Sequence, residues 1–94
     1  MSAPITRATT IGSGAMGTLC TLLLAERGVR VTLWGASPQR IAVIARDREN
    51  RRYLPGHPLP DTITPTADPE RALADRPQLI VSAAAEESVV AAPA

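Results

Sequence analysis

Three glycines near the start of the chain have the spacing of residues that bind phosphate. Gly12, Gly14 and Gly17 form the pattern G-x-G-x-x-G. A pyrophosphate requires backbone N–H donors, a main chain that approaches closely, and the positive end of a helix dipole. In this pattern the first glycine permits a tight turn, the second leaves room for the phosphates, and the third lets a helix pack closely on a strand. The glycines therefore predict a dinucleotide-binding turn, on condition that a strand precedes them and a helix follows.

The segments on either side of the glycines meet this condition. Residues 5–11 are rich in β-branched side chains and predict a first strand, and residues 29–34 predict a second. Between them, residues 15–27 predict a helix that ends at Gly28, so the two strands are expected to be parallel neighbours. One apolar face of this helix is predicted to hold Met16, Leu19, Cys20 and Leu23. Leu22 and Leu24 widen this apolar surface, as expected for a helix that packs on a sheet.

The remainder of the chain continues the alternation of helix and strand. Ser37-Pro38 and Asp68-Pro69 each place a capping residue before a proline, which predicts the start of a second and a third helix. Residues 51–60 contain too many prolines for regular structure. Residues 62–64 and 79–81 predict two more strands, the last apolar throughout, as in a buried parallel strand. This order predicts an α/β fold: a Rossmann-type doubly wound parallel sheet of about four strands, truncated after the fourth.

Composition limits the classes of partner. Ninety-four residues allow one small domain, and a hydrophobic content of 45% argues against disorder. The formal net charge of +1 gives no reason to expect a nucleic acid or a membrane as partner. A single cysteine excludes an internal disulfide, and the apolar run near the N-terminus is short and interrupted by glycines, unlike a signal peptide. We therefore expect a cytoplasmic protein.

The end of the second predicted strand bears on the choice of cofactor. An acidic residue there would bind the ribose 2′-hydroxyl of NAD, but Trp34 is followed by Gly35, Ala36 and Ser37. Arg40 could instead reach the 2′-phosphate of NADP, or it could be a solvated arginine on a helix surface. Trp34 could stack on an adenine ring or cap the core. The cofactor is therefore predicted to be NAD or NADP, with the choice between them open.

Two further segments carry a resemblance to a known family. The first is Leu33-Trp34-Gly35, and the second is Asn50-Arg51-Arg52-Tyr53-Leu54-Pro55-Gly56, followed by Leu59-Pro60-Asp61. Together with the glycine turn, they resemble the N-terminal domain of bacterial NAD(P)-dependent glycerol-3-phosphate dehydrogenase, over about residues 5–84. The resemblance implies a homodimeric parent enzyme. That enzyme would interconvert dihydroxyacetone phosphate and sn-glycerol 3-phosphate by hydride transfer with a dinucleotide cofactor.

The chain departs from the pattern of this family at three places. The family commonly has serine and an aromatic residue where Ala15 and Met16 stand, and a basic residue at the position of Ala36. After the last strand it usually has valine, proline and serine; here Ala84-Ala85-Glu86 would place a carboxylate near the cofactor phosphates and weaken binding. The residues predicted to contact the cofactor are Gly12, Ser13, Gly14, Ala15, Met16, Gly17, Trp34, Ala36, Arg40 and Ala84.

The chain contains no lysine, since all ten residues of the Lys and Arg class are arginine. The resemblance places the catalytic lysines in a later helical domain, so residues 1–94 are predicted to be a partial NAD(P)-binding domain, a fragment inactive by itself. No residue is assigned as catalytic or as a metal ligand; His57 is expected to be solvated and Tyr53 to pack against the sheet. Two alternatives stay open: a fragment of an NADPH enzyme like ketopantoate reductase, and a non-catalytic nucleotide-binding remnant.

Overall fold

A four-stranded parallel sheet forms the centre of the fold. The structure is a computed structural model that describes residues 4–83. The elements in chain order are β1 (Arg7–Ile11), α1 (Ala15–Glu26), β2 (Arg30–Trp34), α2 (Pro38–Asp47), β3 (Ile63–Thr66), α3 (Pro69–Ala74) and β4 (Leu79–Ser82). The strand order is β3-β2-β1-β4, and every neighbouring pair is parallel. The predicted α/β fold and its order of elements are confirmed.

The direction of the chain reverses beside β1. From β1 the chain moves outward to β2 and β3, and it then crosses back through α3 to place β4 on the other side of β1. In doubly wound sheets, ligands bind outside the carboxyl ends of the strands where this order reverses. The glycine turn, which follows β1 directly, therefore lies at the position where such a fold binds its ligand.

One face of the sheet carries the main hydrophobic core. Because side chains alternate along a strand, Thr10 faces α1, whereas Thr9 faces α3 and donates a hydrogen bond to the carbonyl oxygen of Ala72. On the α1 and α2 face, the buried core consists of Ala8, Val29, Val31, Leu33, Ile41, Ile44, Leu59 and Ile63. Leu59 belongs to the proline-rich segment, so that segment, although irregular as predicted, also contributes to the core.

The helix α1 packs on the sheet through a different face from the predicted one. Its buried residues are Gly17, Thr18 and Thr21. The predicted apolar face is largely in solvent, since Met16 is 63% exposed and Leu23 51% exposed. The rotation of α1 is set by the close approach of Gly17 to the glycine turn, described below, and the residues one and four positions later then also face inward.

The other predicted α1 side chains follow from this rotation. Leu19 is 41% exposed, and Cys20 is half-buried outside the core cluster. The apolar contacts of α1 with the core are made by Leu22 and Leu24, which were predicted to extend its apolar surface, and by Ala25. The helix stops as predicted, because Gly28 adopts a left-handed conformation with φ of 83°.

The two outer strands of the described sheet also differ from expectation. β4 pairs with β1 on one side, and within residues 4–83 no strand covers its other edge. Its side chains are therefore not fully buried: Leu79 and Val81 are half-buried, and Ile80 is 54% exposed. At the opposite edge, β3 runs two residues further than predicted and contains Pro65, which an edge strand tolerates because its missing N–H costs no ladder bond on the solvent side.

Within residues 4–83, no helix has the length and apolar character that crossing a membrane would require.

Candidate functional site

Two glycines of the turn are required by its geometry. Gly12 has φ of 116°, and its N–H donates a 2.8 Å hydrogen bond to the carbonyl oxygen of Trp34, which joins the turn to β2. A β-carbon on Gly17 would collide with the carbonyl group of Gly12 and would lie 3.5 Å from the β-carbon of Ala83. Because no side chain fits there, α1 approaches the end of β1 closely, as the glycine pattern predicts.

Gly14 has a different environment. Its φ of −75° is open to any residue, and a β-carbon placed on it would have no atom of the described chain within 4 Å apart from those of Gly14 and its two chain neighbours. Gly14 is the N-cap of α1, yet no side chain in residues 4–83 caps this end, and the first turn contains no acidic residue. The free N–H groups and the positive end of the helix dipole therefore face open space, which is the chemistry of an anion site. Ala15 and Met16, the next two residues, are exposed.

Two neighbouring segments pack against the glycine turn. Gly35, just after β2, is buried, and a β-carbon there would lie 2.6 Å from Oγ of Ser13 and 2.8 Å from Cδ1 of Ile41. From another direction Asn50, which is 2% exposed, donates 2.8 Å hydrogen bonds from its amide nitrogen to the Ser13 carbonyl oxygen and to Oγ1 of Thr18. The glycine turn thus contacts the end of β2 and the segment that begins at Asn50.

A hollow of about 280 Å³ lies beside Ser13. We call it the arginine hollow; among the residues that bound it are Ser13, Arg40, Val43, Asn50, Arg52 and Tyr53. The Nη1 group of Arg40 donates a 3.5 Å hydrogen bond to the Tyr53 hydroxyl, and the Arg52 guanidinium lies 5.4 Å from the centre of the Tyr53 ring. Tyr53 is 40% exposed in this hollow rather than packed against the sheet, so its predicted position is wrong. The ring lies where a ligand in the hollow would touch it.

The charges of the hollow are only partly neutralised. Arg51, which also lines it, lies 3.9 Å from Asp47 and 3.7 Å from Glu49. A hydrogen bond from Arg46 lowers the pKa of the Asp47 carboxyl, against its desolvation, and the charges of Arg46 and Arg51 lower it further, so Asp47 is anionic at neutral pH. By contrast, Arg40 and Arg52 form no ion pair with another residue of the described chain. These two guanidinium groups are available to an anionic ligand.

The end of β2 lies next to this hollow. Ser37 caps α2, and its hydroxyl accepts a 3.3 Å hydrogen bond from the backbone N–H of Arg40, as the capping pattern predicts. Ala36 is exposed just before this cap. No carboxylate follows Trp34 here, because residues 35–46 contain none. The structure thus brings Ala36 and Arg40 to the side of the turn on which Ser13 lies.

Trp34 is located elsewhere. Its half-buried ring lines a separate hollow of about 240 Å³, together with Ile11 of β1 and Pro69, Ala72 and Leu73 of α3. The indole N–H is buried without a hydrogen-bond partner in residues 4–83. The structure therefore does not bring Trp34 into the arginine hollow with Arg40.

Other predicted positions carry less chemistry. His57 is exposed, as expected, and Ala84 and Glu86 lie outside the described residues. Within residues 4–83, no group of three or more His, Cys, Asp or Glu side chains is placed to hold a metal ion.

Asn50 is the residue of this site that the sequence analysis did not assign. Its partners are 37 and 32 positions earlier in the chain, so no local pattern reveals the contact. The available signal was its place at the start of the segment that carries the family resemblance, before Tyr53, Leu54 and Pro55.

The family model and the curated relatives that match the chain describe the same kind of enzyme. Residues 7–91 match the family model described as NAD-dependent glycerol-3-phosphate dehydrogenase N-terminus. The chain is 42% identical, over 86% of its length, to glycerol-3-phosphate dehydrogenase [NAD(P)+] of Pseudoalteromonas translucida, of which it covers 24%. It is also 42% identical, over 81% of its length, to the enzyme of that name from Carboxydothermus hydrogenoformans, of which it covers 23%. The chain thus spans about a quarter of the length of these curated relatives.

Two solved structures are similar in fold. Glycerol-3-phosphate dehydrogenase from Coxiella burnetii superposes with a TM-score of 0.79 at 28% identity, over 85% of this chain and 24% of that one. The structure of DsGPDH of Dunaliella salina gives a TM-score of 0.62 at 24% identity, over 88% of this chain and 17% of that one, a likeness that concerns the fold only.

Proposed function

Because the chain belongs to the NAD-dependent glycerol-3-phosphate dehydrogenase family, through the N-terminal part of those enzymes, we propose that it binds NAD or NADP at the glycine turn. The observation that carries the proposal is the open space at Gly14, beside an α1 N-terminus that no side chain of the described chain caps. The N–H groups of this first turn would bind the pyrophosphate, with no β-carbon in the way. The cofactor, once bound, supplies the transferable hydride.

The arginine hollow bears on which dinucleotide is preferred. Within residues 4–83, Arg40 and Arg52 form no ion pair, and they lie at the side of the turn on which β2 ends, where the adenosine ribose lies in this fold class. A 2′-phosphate would accept hydrogen bonds from guanidinium groups. No carboxylate follows β2 within residues 35–46 to bind the 2′-hydroxyl of NAD, and the Glu49 carboxylate, which also lines the hollow, already contacts Arg51 and the Gly56 N–H. We therefore assign the 2′-phosphate to Arg40 and predict that NADP binds more tightly than NAD.

The remaining contacts belong to the same proposal. Ser13, Ala15 and Met16 lie in the turn or in the first turn of α1, and Ala36 is exposed at the end of β2. Trp34 would contribute an aromatic surface from the α3 side, where its ring lines a hollow. The proposed cofactor-contacting residues are Gly12, Ser13, Gly14, Ala15, Met16, Gly17, Trp34, Ala36, Arg40 and Ala84.

The reaction of the complete enzyme is a further part of the proposal. We infer hydride transfer between NAD(P)H and dihydroxyacetone phosphate, which yields sn-glycerol 3-phosphate, in a homodimeric cytoplasmic enzyme that contacts neither membrane nor nucleic acid. Reduction of the ketone needs a proton donor for the developing alkoxide, which these residues do not provide through a lysine. Residues 1–94 thus constitute the cofactor-binding part, and the catalytic groups are supplied from outside them.

The sequence left two alternative functions open. The family match favours the glycerol-3-phosphate dehydrogenase assignment over an NADPH enzyme like ketopantoate reductase. A nucleotide-binding module without catalysis differs from the main proposal only in the part outside residues 1–94, so it predicts the same binding by this chain.

A titration of the full chain tests the proposal. The chain is titrated with NADPH and with NADH by calorimetry, and reduction of dihydroxyacetone phosphate is assayed in parallel. We expect binding of both, roughly tenfold tighter for NADPH, which corresponds to about 1.4 kcal/mol, and no turnover by these residues without further domains. Absence of binding of either dinucleotide at millimolar concentration would contradict the binding proposal. Appreciable turnover would contradict the assignment of catalytic groups to other parts of the enzyme.

A further inference from the structure

We propose that Asn50 is a positioning residue that aims the backbone N–H of Gly14 at the cofactor phosphates, an inference that rests on the proposed cofactor binding. Asn50 makes no hydrogen bond to Gly14, although the residue also borders the arginine hollow. Its contact is with the far side of the turn, where its amide nitrogen donates to the Ser13 carbonyl oxygen at 2.8 Å.

The amide group of Asn50 is fully used in this position. Its nitrogen donates a second 2.8 Å hydrogen bond, to Oγ1 of Thr18 in the first turn of α1, and its oxygen accepts one of 3.4 Å from the backbone N–H of Tyr53. The side chain is 2% exposed, so water does not replace these partners. A buried amide satisfied on both its nitrogen and its oxygen holds one orientation, because any rotation would leave a polar atom unpaired.

The planar peptide bond between Ser13 and Gly14 links the contact of Asn50 to the opposite side of the turn. The carbonyl of Ser13 and the N–H of Gly14 belong to one trans peptide unit, in which the two groups point in opposite directions. A carbonyl held inward by Asn50 therefore directs the Gly14 N–H outward, to the side where Gly14 is open. This N–H makes no hydrogen bond within residues 4–83. Asn50 thus fixes the direction of a donor that it does not touch.

The position also requires an amide. Aspartate has nearly the same shape as asparagine, but its carboxylate is only an acceptor, and it would face the Ser13 carbonyl oxygen without a proton between them. The peptide unit would be driven to rotate, and the Gly14 N–H would turn with it. The same substitution adds a negative charge close to the proposed pyrophosphate site, and this charge would also weaken binding of the anionic cofactor.

The test compares Asn50→Asp with Thr21→Val. Thr21 is buried on the same helix and bonds to Thr10 rather than to the turn, so its variant loses a buried hydrogen bond without disturbing Gly14. For both full-length variants, NADP affinity is measured by calorimetry, unfolding by urea, and the Gly14 amide signal by NMR. We expect Asn50→Asp to bind NADP at least about tenfold more weakly and to shift the Gly14 signal. Thr21→Val is expected to unfold more easily while it keeps wild-type affinity and an unshifted Gly14 signal.

Each outcome of this experiment either supports or contradicts the positioning role of Asn50. Wild-type affinity in folded Asn50→Asp would overturn it, as would an equal loss of affinity in Thr21→Val. If Asn50→Asp does not fold, Asn50→Ala, which removes the donor without adding a charge, takes its place with the same expectation and the same contradiction. If the wild-type chain binds no dinucleotide, the proposed function fails separately, and the Gly14 signal then decides: a shift in the Asn50 variant alone supports the positioning role, and no shift overturns it.

Discussion

The hydroxyl of Thr21 in α1 donates a 2.9 Å hydrogen bond to the hydroxyl of Thr10 in β1, and both side chains are completely buried. This contact joins the helix that follows the glycine turn to the strand that precedes it. Small β-branched side chains let the two elements approach closely, and their paired hydroxyls leave no polar atom unsatisfied. The buried face of α1 at this point is therefore formed by Gly17, Thr18 and Thr21 rather than by leucines.

Substituting Thr21 tests this arrangement. Thr21→Val keeps the shape but leaves the Thr10 hydroxyl buried without this partner, which should cost about 1–3 kcal/mol in the free energy of unfolding. Leu19→Gln, on the exposed face of the same helix, should change it by less than about 0.5 kcal/mol. Urea unfolding of both variants measures the difference. A larger loss from the Leu19 change would show that the leucine face is the buried one.

Local sequence patterns predicted those features that depend on local chemistry. The cap formed by Ser37, the stop at Gly28 and the turn at Gly12 each depend on residues close in the chain, and each is found. The buried face of α1 was mispredicted because periodicity counts apolar residues, whereas the helix rotation is set by a contact between Gly17 and Gly12 that admits no side chain.

Parts of the site depend on contacts that no local pattern contains. Asn50 lies in a loop and bonds to residues more than thirty positions earlier, so its burial appears only when the chain is folded. In the same way, the position of Tyr53 involves a contact with α2, because its hydroxyl accepts a hydrogen bond from Arg40. Local patterns thus predicted the position of the glycine turn but not the distant residues that contact it.

The close approach at Gly17 gives a second prediction. Replacing an exposed glycine within a helix by alanine ordinarily stabilises the folded protein by up to about 1 kcal/mol. Gly17→Ala should instead destabilise the chain by about 1–3 kcal/mol, because the new methyl group collides with the Gly12 carbonyl. Gly14→Ala is the matched control for stability, since a methyl group there meets no atom of the described chain. Thermal or urea unfolding that ranks the two variants in the reverse order would contradict the described packing.

The cofactor preference is tested at Arg40. Arg40→Gln should weaken NADPH binding by roughly tenfold, the size expected for loss of a hydrogen bond to a charged group, and should leave NADH binding nearly unchanged. Arg46→Gln is the control, because Arg46 is paired with Asp47 and does not line the arginine hollow. The measurement is the ratio of the two dissociation constants by calorimetry. Equal weakening of NADPH and NADH by Arg40→Gln would remove the 2′-phosphate assignment.

The ion pairs of Asp47 predict a dependence of stability on pH. Its pKa in the folded chain lies below the ordinary value of 3.8, chiefly through the hydrogen bond from Arg46. A carboxyl with a lowered pKa stabilises the fold above its unfolded pKa, and this contribution is lost as pH falls through the folded pKa. Asp47→Asn should therefore be less stable than the wild type near neutral pH, with the difference disappearing in acid. Urea midpoints across that range measure it, and a difference that grows in acid would refute the assignment.

The most direct test of the account is the affinity of Gly14→Val for NADPH. The backbone of Gly14 suits any residue, and no atom of the described chain lies within 4 Å of its would-be β-carbon, so the variant should fold with a circular dichroism spectrum like that of the wild type. The valine side chain would, however, occupy the space assigned to the pyrophosphate. Calorimetry should then show NADPH binding weakened at least about a hundredfold, or about 2.7 kcal/mol. A folded Gly14→Val chain that binds NADPH as tightly as the wild type would show that the dinucleotide does not bind at this turn.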